Sequence, residues 1–208
     1  GAARPDATCL RSPKAAAAVA AGARHLVLVG RRGPADDDAH TALAELKAQG
    51  VKVYVEACDI ADAQAADDLF KRLKRSAPPL AAIIHGAMVL DDSIIANLDA
   101  EKLQKVLRPK VLGAENLDRA SRGLNLGYFV LFSSATTFVG NPGQGAYVAA
   151  NAYLDALAPR RKAEGLPALA LAWGAIANTG VLARNRGLME ALSSRIGVKP
   201  IAPHTALH

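Results

Sequence analysis

The chain has little sulfur, few aromatic rings and no long apolar run. Cys9 and Cys58 are the only cysteines in 208 residues, and they are far apart and in no metal-ligand spacing. That argues against a disulfide framework and makes a reducing cytoplasm the expected compartment. Aromatics make up 4%, too few to interleave with the basic residues as a base-stacking surface, so nucleic acid is not an expected partner. No stretch reaches the roughly 18 apolar residues that a membrane span needs, and no membrane association is expected. Acid is scarcer than base, for a formal charge of +6. The basic residues are nevertheless scattered, with short groups at Arg31-Arg32, Lys71 to Arg75 and Arg160 to Lys162. A small polyanionic cofactor suits that distribution better than a polymer.

What is present is alanine and aliphatic residue, 51% hydrophobic overall against 21% charged. The length suits one domain, or a large fragment of one, with a real core. Arg11 and Lys14 before "AAAAVAAGA" imitate a signal peptide, but alanine is weakly apolar and a strand-like "HLVLVG" follows at once. The segment reads as a helix remnant.

From residue 25 short β-branched or leucine-rich runs alternate with longer helical patterns. Strands are predicted at 25–30, 51–57, 80–85, 126–134 and 168–173. Helices are predicted at 41–50, closed by Gly50, and at 62–76, with Asp62 as N-cap. A further helix runs from Asp99 to about Arg122, interrupted by Pro109, and another covers 145–163, stopped at Gly165. Strands separated by helices of ten or more residues imply β-α-β units, a parallel sheet covered on both faces, and ligands at the carboxyl ends of the strands. Ser134 and Trp173-Gly174 lie at such ends.

The stretch "SSATTFVGNPGQGAYVAAN" (133–151) concentrates polar chemistry. Residues i and i+4 share a helix face, so Tyr147 and Asn151 point the same way, and the glycine-rich turn returns the Ser134 hydroxyl towards that face. A tyrosine there can act as a general acid if a nearby cation lowers its pKa from about 10, while the serine holds a substrate carbonyl. Spacing alone also fits a surface serine, a packing tyrosine and a helix-start asparagine.

The wider text decides the expectation. "GARHLVLVGRRGP", "HGAMVLDDSI", "LRPKVLGAENLD", "FVLFSSA", "NPGQGAYVAANAYLDALA" and "LPALALAWGAI" occur in an order that resembles the ketoreductase domains of type I polyketide synthases, within the short-chain dehydrogenase/reductase superfamily. The likeness runs from about Gly22 to the C-terminus. It implies a Rossmann-like, doubly wound α/β fold and reduction, with NADPH as cofactor, of the β-keto group of an acyl chain held on an acyl carrier protein. By the same likeness Tyr147 donates the proton and Ser134 orients the keto oxygen. Lys110 lowers the phenol pKa and touches the nicotinamide ribose, and Asn151 completes a proton relay through water. Arg31, after Gly30 and beside Arg32, matches the residue that grips the 2′-phosphate of NADPH. Asp59 matches an adenine contact, and Gly86 and Ala87 match the strand end behind the cofactor ribose. Asp92 in "LDD" (90–92) matches a substrate-orienting loop associated with a D-configured 3-hydroxy product. Val139 stands where ketoreductases of the opposite facial preference usually carry tryptophan.

One departure is large. The family begins with a strand and a turn of the type TGGxGGxG, whose amides cradle the pyrophosphate. Here the corresponding text is "GAARPDATCLRSPKAAAAVAAGA". The expectation is therefore an atypical segment over 1–21 and a ketoreductase-like domain over 22–208, without the usual first strand and glycine turn and cut at the C-terminus. Other domains of a polyketide synthase are expected partners. The competing reading is a ketoreductase-derived structural or interaction module without reductase activity. An epimerase or general dehydrogenase on the same fold is a third option, disfavoured by the Lys110 and Asn151 arrangement.

Overall fold

The computed structural model describes residues 13–33, 37–174 and 201. Their elements run α1 (Pro13–Ala20), β1 (His25–Gly30), α2 (Asp37–Ala48), β2 (Lys52–Ala57), α3 (Ala63–Ser76), β3 (Ala82–His85), a short 3-10 turn (Ile95–Asn97), α4 (Ala100–Ser121), β4 (Tyr128–Ser134), α5 (Thr136–Val139), α6 (Gly145–Ala163) and β5 (Leu169–Trp173). Among the described residues no helix is long and apolar enough to cross a membrane. The chain divides into two compact units, Gly1–Ala57 with Gly174–His208, and Cys58–Trp173.

In the first unit α1 is set by composition: Pro13 occupies the first helical position, where its missing N–H is no loss, and alanine is the strongest helix former. Gly22, at φ 99°, and Ala23 close it by donating to the carbonyls of Val19 and Ala18. β1 and β2 are parallel, paired from His25↔Lys52 to Gly30↔Ala57. Ala15 and Val19 of α1 and Leu46 of α2 pack with Val51 against Leu26, Leu28 and Val53. Helix α2 begins four residues before the expected boundary, because Asp37 and Asp38 extend it ahead of the apolar pattern.

In the second unit β3, β4 and β5 form a parallel sheet in that order. Its inward side chains, Ile83, Phe129 and Leu131, pack against Ala114 and Leu117 of α4 and Leu154 and Leu157 of α6. Between these positions Ile84 (46%), Tyr128 (70%) and Leu169 (46%) are exposed. Asp62 and Asp99 cap α3 and α4 by accepting from Ala65 and Lys102 N–H. Helix α4 runs through Pro109 without the expected interruption.

Helices α4 and α6 are pinned together by charge. The guanidinium of Arg161, 1% exposed, donates to the Asp118 carboxylate and lies 3.8 Å from the centre of the Phe129 ring. Arg122 and Arg160 reach the same carboxylate from its exposed side at 3.1 and 3.3 Å.

The parallel strands and flanking helices agree with the expected fold class, but they form two sheets, β1-β2 and β3-β4-β5, instead of one. Among the described residues β1 and β3 each pair with a strand on one side only. The last part of the text ahead of β1, "GAARPDATCLRSPKAAAA", is helix α1 rather than a strand. The run 7–12, the one strand-like piece of that text, lies outside the described residues.

Candidate active site

The site is assembled at the carboxyl end of β4, inside the second unit. Phe132, Ser133 and Ser134 end that strand, α5 turns the chain, and Gly140 and Gly143, at φ 68° and 80°, let it fold back tightly into α6. Tyr147 and Asn151 then stand one turn apart near the start of α6. Lys110 comes from the middle of α4. The structure thus brings together the four residues expected to handle the carbonyl and its proton.

Their contacts are specific. Lys110, 3% exposed, donates from Nζ to the Phe132 carbonyl at 2.7 Å, with Nζ 5.7 Å from the centre of the Tyr147 ring. Ser133 Oγ donates to the Asn151 carbonyl at 3.4 Å. Ser134 Oγ accepts from Thr136 N–H at 3.3 Å and from Thr136 Oγ1 at 3.0 Å. The Asn151 side chain donates from Nδ2 to the Tyr147 carbonyl at 2.8 Å, while its Oδ1 is buried and has no partner. A buried amide oxygen costs free energy unless a donor reaches it.

The electrostatics of Tyr147 differ from expectation. Burial pushes the phenol pKa above its ordinary value. Hydrogen bonds with the side chains of Ser134 and Asn151 pull it back, and the charge of Asp92 adds to the rise. The net direction is upward, not the lowering by a cation expected of Lys110.

The loop at 90–93 is tied to the same turn. Asp92 Oδ2 accepts from Gln144 Nε2 at 2.9 Å, and Gln144 Oε1 accepts from Asn141 Nδ2 at 2.9 Å. Ser93 N–H donates to the Gly143 carbonyl at 2.7 Å, and Lys105 pairs with Asp91 at 2.6 Å. Gln144, buried just before α6 begins, was given no role by the sequence; the signal was there in its place, three residues ahead of the tyrosine. Val139 is exposed on α5.

The residues expected to meet a dinucleotide are distributed over both units. Gly30 ends β1 opposite Ala57, and Arg31 and Arg32 follow it, exposed. In the second unit Gly86 and Ala87 are half-buried just after β3. Asp59 is partly engaged locally: Oδ1 accepts from Ala61 N–H at 3.0 Å, and Oδ2 lies 3.9 Å from Arg108 Nη2. Among the described residues no group of three or more His, Cys, Asp or Glu side chains could hold a metal ion.

Comparison with known proteins places this geometry. The KR domain family matches residues 14–178. Pks1 of Mycobacterium tuberculosis, a type I phenolphthiocerol synthesis polyketide synthase whose name describes it as inactive, is 44% identical over 187 residues, 89% of this chain and 12% of its own. The polyketide synthase GfsA of Streptomyces halstedii is 47% identical over 189 residues, 91% of this chain and 2% of its own. Among solved structures, a ketoreductase domain from the bacillaene assembly line superposes with a TM-score of 0.90 at 28% identity, covering 97% of this chain and 49% of that one. A-type ketoreductases from a modular polyketide synthase give 0.86 at 40% identity, covering 94% and 41%. The chain therefore spans a small part of the synthases it resembles and less than half of these ketoreductase chains.

Proposed function

The chain belongs to the KR domain family, and on that premise we propose that it reduces the β-keto group of a β-ketoacyl thioester, held on an acyl carrier protein, to the 3-hydroxyacyl thioester, with NADPH as cofactor. The observation that carries this reading is the convergence of Lys110, Ser134, Tyr147 and Asn151 at the end of β4, three of them fixed by hydrogen bonds to strand or helix carbonyls or hydroxyls. The proposed setting is a cytoplasmic polyketide synthase whose other domains are the partners, with residues 22–208 as the ketoreductase-like part.

The residues present fit a nicotinamide cofactor at the strand ends of the second unit, where Gly86, Ala87, Lys110 and Tyr147 would hold the ribose side and Asp59 the adenine. In the first unit Arg31, after Gly30, is the residue that the family likeness matches to a 2′-phosphate contact. Bound there, NADPH supplies the hydride, which no side chain can. The chain's own residues do the rest. Ser134 donates a hydrogen bond that orients the keto oxygen. Tyr147, whose phenol holds its proton at neutral pH, gives that oxygen its proton as negative charge develops. Lys110 holds positive charge against the Tyr147 ring, and the orphan Oδ1 of Asn151 accepts from a water that returns the proton. Asp92, fixed by Gln144, sets the side from which the acyl arm enters, supporting a D-configured product.

A second reading is favoured by one observation, the lack of a glycine-rich turn ahead of α1: a ketoreductase-derived module without reductase activity. Fluorescence titration with NADPH, beside a chimera carrying a TGGxGGxG start, separates the two. Weak binding by the chain and binding with turnover by the chimera are expected. A chimera that binds NADPH and still leaves a simple β-ketoacyl thioester unreduced would end the reductase reading. Chiral analysis of any product tests the loop assignment, against which an L-configured alcohol would count.

A further inference from the structure

His85 is buried (3% exposed) at the end of β3 and is given no part in the chemistry above. Its Nε2 lies 3.2 Å from the backbone carbonyl of Lys110. A carbonyl can only accept, so this contact requires the tautomer with the proton on Nε2. The ring also fills the space facing Gly113, one turn further along α4, where a Cβ would come within 3.0 Å of its Cε1.

The helix needs such an anchor at this point. Pro109 has no N–H, so the Lys105 carbonyl loses its ladder bond and α4 is internally weakest in the turn that leads to Lys110. Immediately after that proline, Lys110 is gripped at both ends by neighbouring strands. Its backbone carbonyl is held by His85 of β3 and its ammonium by the Phe132 carbonyl of β4. The sheet register pairs His85 with Leu131, so the two grips are one residue apart across the sheet.

We propose that His85 is a positioning residue for Lys110, fixing through its Nε2–H the backbone of a helix that a proline has loosened, and so holding the ammonium against the Tyr147 ring. The proposal rests on the reductase reading for its meaning in catalysis, but the positioning itself does not depend on cofactor or substrate. A glutamine can present an amide N–H close to where His Nε2 stands, whereas a leucine fills the space and donates nothing.

The test compares His85→Gln and His85→Leu in the full chain by amine-selective labelling and peptide mass spectrometry, taking the rate at Lys110 relative to exposed Lys71. His85→Leu is expected to raise that ratio by about tenfold, the worth of one hydrogen bond, and His85→Gln to restore it, with amide exchange of β4 unchanged in both. Gly113→Ala, which pushes on the ring, should raise the ratio as well and serves if His85→Leu does not fold. Where turnover is measurable, His85→Leu should lower kcat with little change in KM. A wild-type ratio in His85→Leu overturns the proposal, and so does equal labelling of the leucine and glutamine variants, which would make the residue mere packing. The reductase reading falls separately, with a chimera that binds NADPH and does not reduce, since the labelling needs neither cofactor nor substrate.

Discussion

The two units differ in what their strands bury. In Cys58–Trp173, β3 and β4 alternate cleanly, with Ile83, His85, Phe129 and Leu131 inside and helices α4 and α6 packed over them. In the first unit neither β1 nor β2 contributes a fully buried side chain, and the helices reach only half-buried residues such as Leu28 and Val53. The residues proposed to handle the proton all belong to the first kind of setting, those proposed to grip the 2′-phosphate to the second. Proton transfer needs side chains fixed to within a fraction of an ångström, which dense packing supplies. A guanidinium on a turn needs only to reach an anion.

The sharpest way to break this contrast is at Tyr147. Tyr147→Phe, made in a form competent to bind NADPH, should lower ketone reduction by about a thousandfold while leaving the affinity from fluorescence titration almost unchanged. Loss of cofactor affinity instead would mean that the two tasks are not separate. Next in size is packing. Leu131→Ala should cost about 2 to 5 kcal/mol, and Leu28→Ala, half-buried in β1, under about 2 kcal/mol. Urea melts can follow each, because the single tryptophan, Trp173, reports the second unit by fluorescence while circular dichroism reports both. Equal losses would erase the distinction.

Arg161→Lys should cost about 1 to 3 kcal/mol, since lysine keeps the charge near Asp118 but loses the flat contact with Phe129. A melt unchanged from wild type would show the stacking to be incidental. The smallest effect is in alkali. The folded Tyr147 holds its proton above the ordinary value, and unfolding returns the phenol to about 10. The unfolded chain therefore loses that proton first, and the associated stability, whole below about pH 10, drains away as pH climbs through the folded value. Tyr147→Phe should flatten that alkaline decline, and an identical decline in both proteins would contradict the burial argument.

Much of the second unit was legible in the sequence because its signals are local. Asp62 reads as a cap and acts as one, Asp99 opens α4 as the pattern indicates, and Tyr147 and Asn151 stand one turn apart on α6. What stayed hidden depends on approach between distant segments. The burial that lifts the Tyr147 pKa, the Gln144 hold on Asp92 and the Arg161 stack on Phe129 each join residues far apart in the chain, and no periodicity announces them. Pro109 misled for a related reason: a proline breaks an isolated helix, but tertiary contacts on both sides carry α4 through it. Where a single sheet was expected, the described strands pair as two, β1-β2 and β3-β4-β5.

The outward row of Ile84, Tyr128 and Leu169 on the three-stranded sheet also bears on how the protein behaves at the bench. An aliphatic and aromatic surface on a sheet is adhesive in water, and ammonium sulfate strengthens such adhesion while mild detergent masks it. Light scattering of the purified chain should therefore rise with concentration and with kosmotropic salt. Replacing Leu169 and Ile84 by threonine, which keeps β-propensity, should make it more soluble without disturbing the inward face.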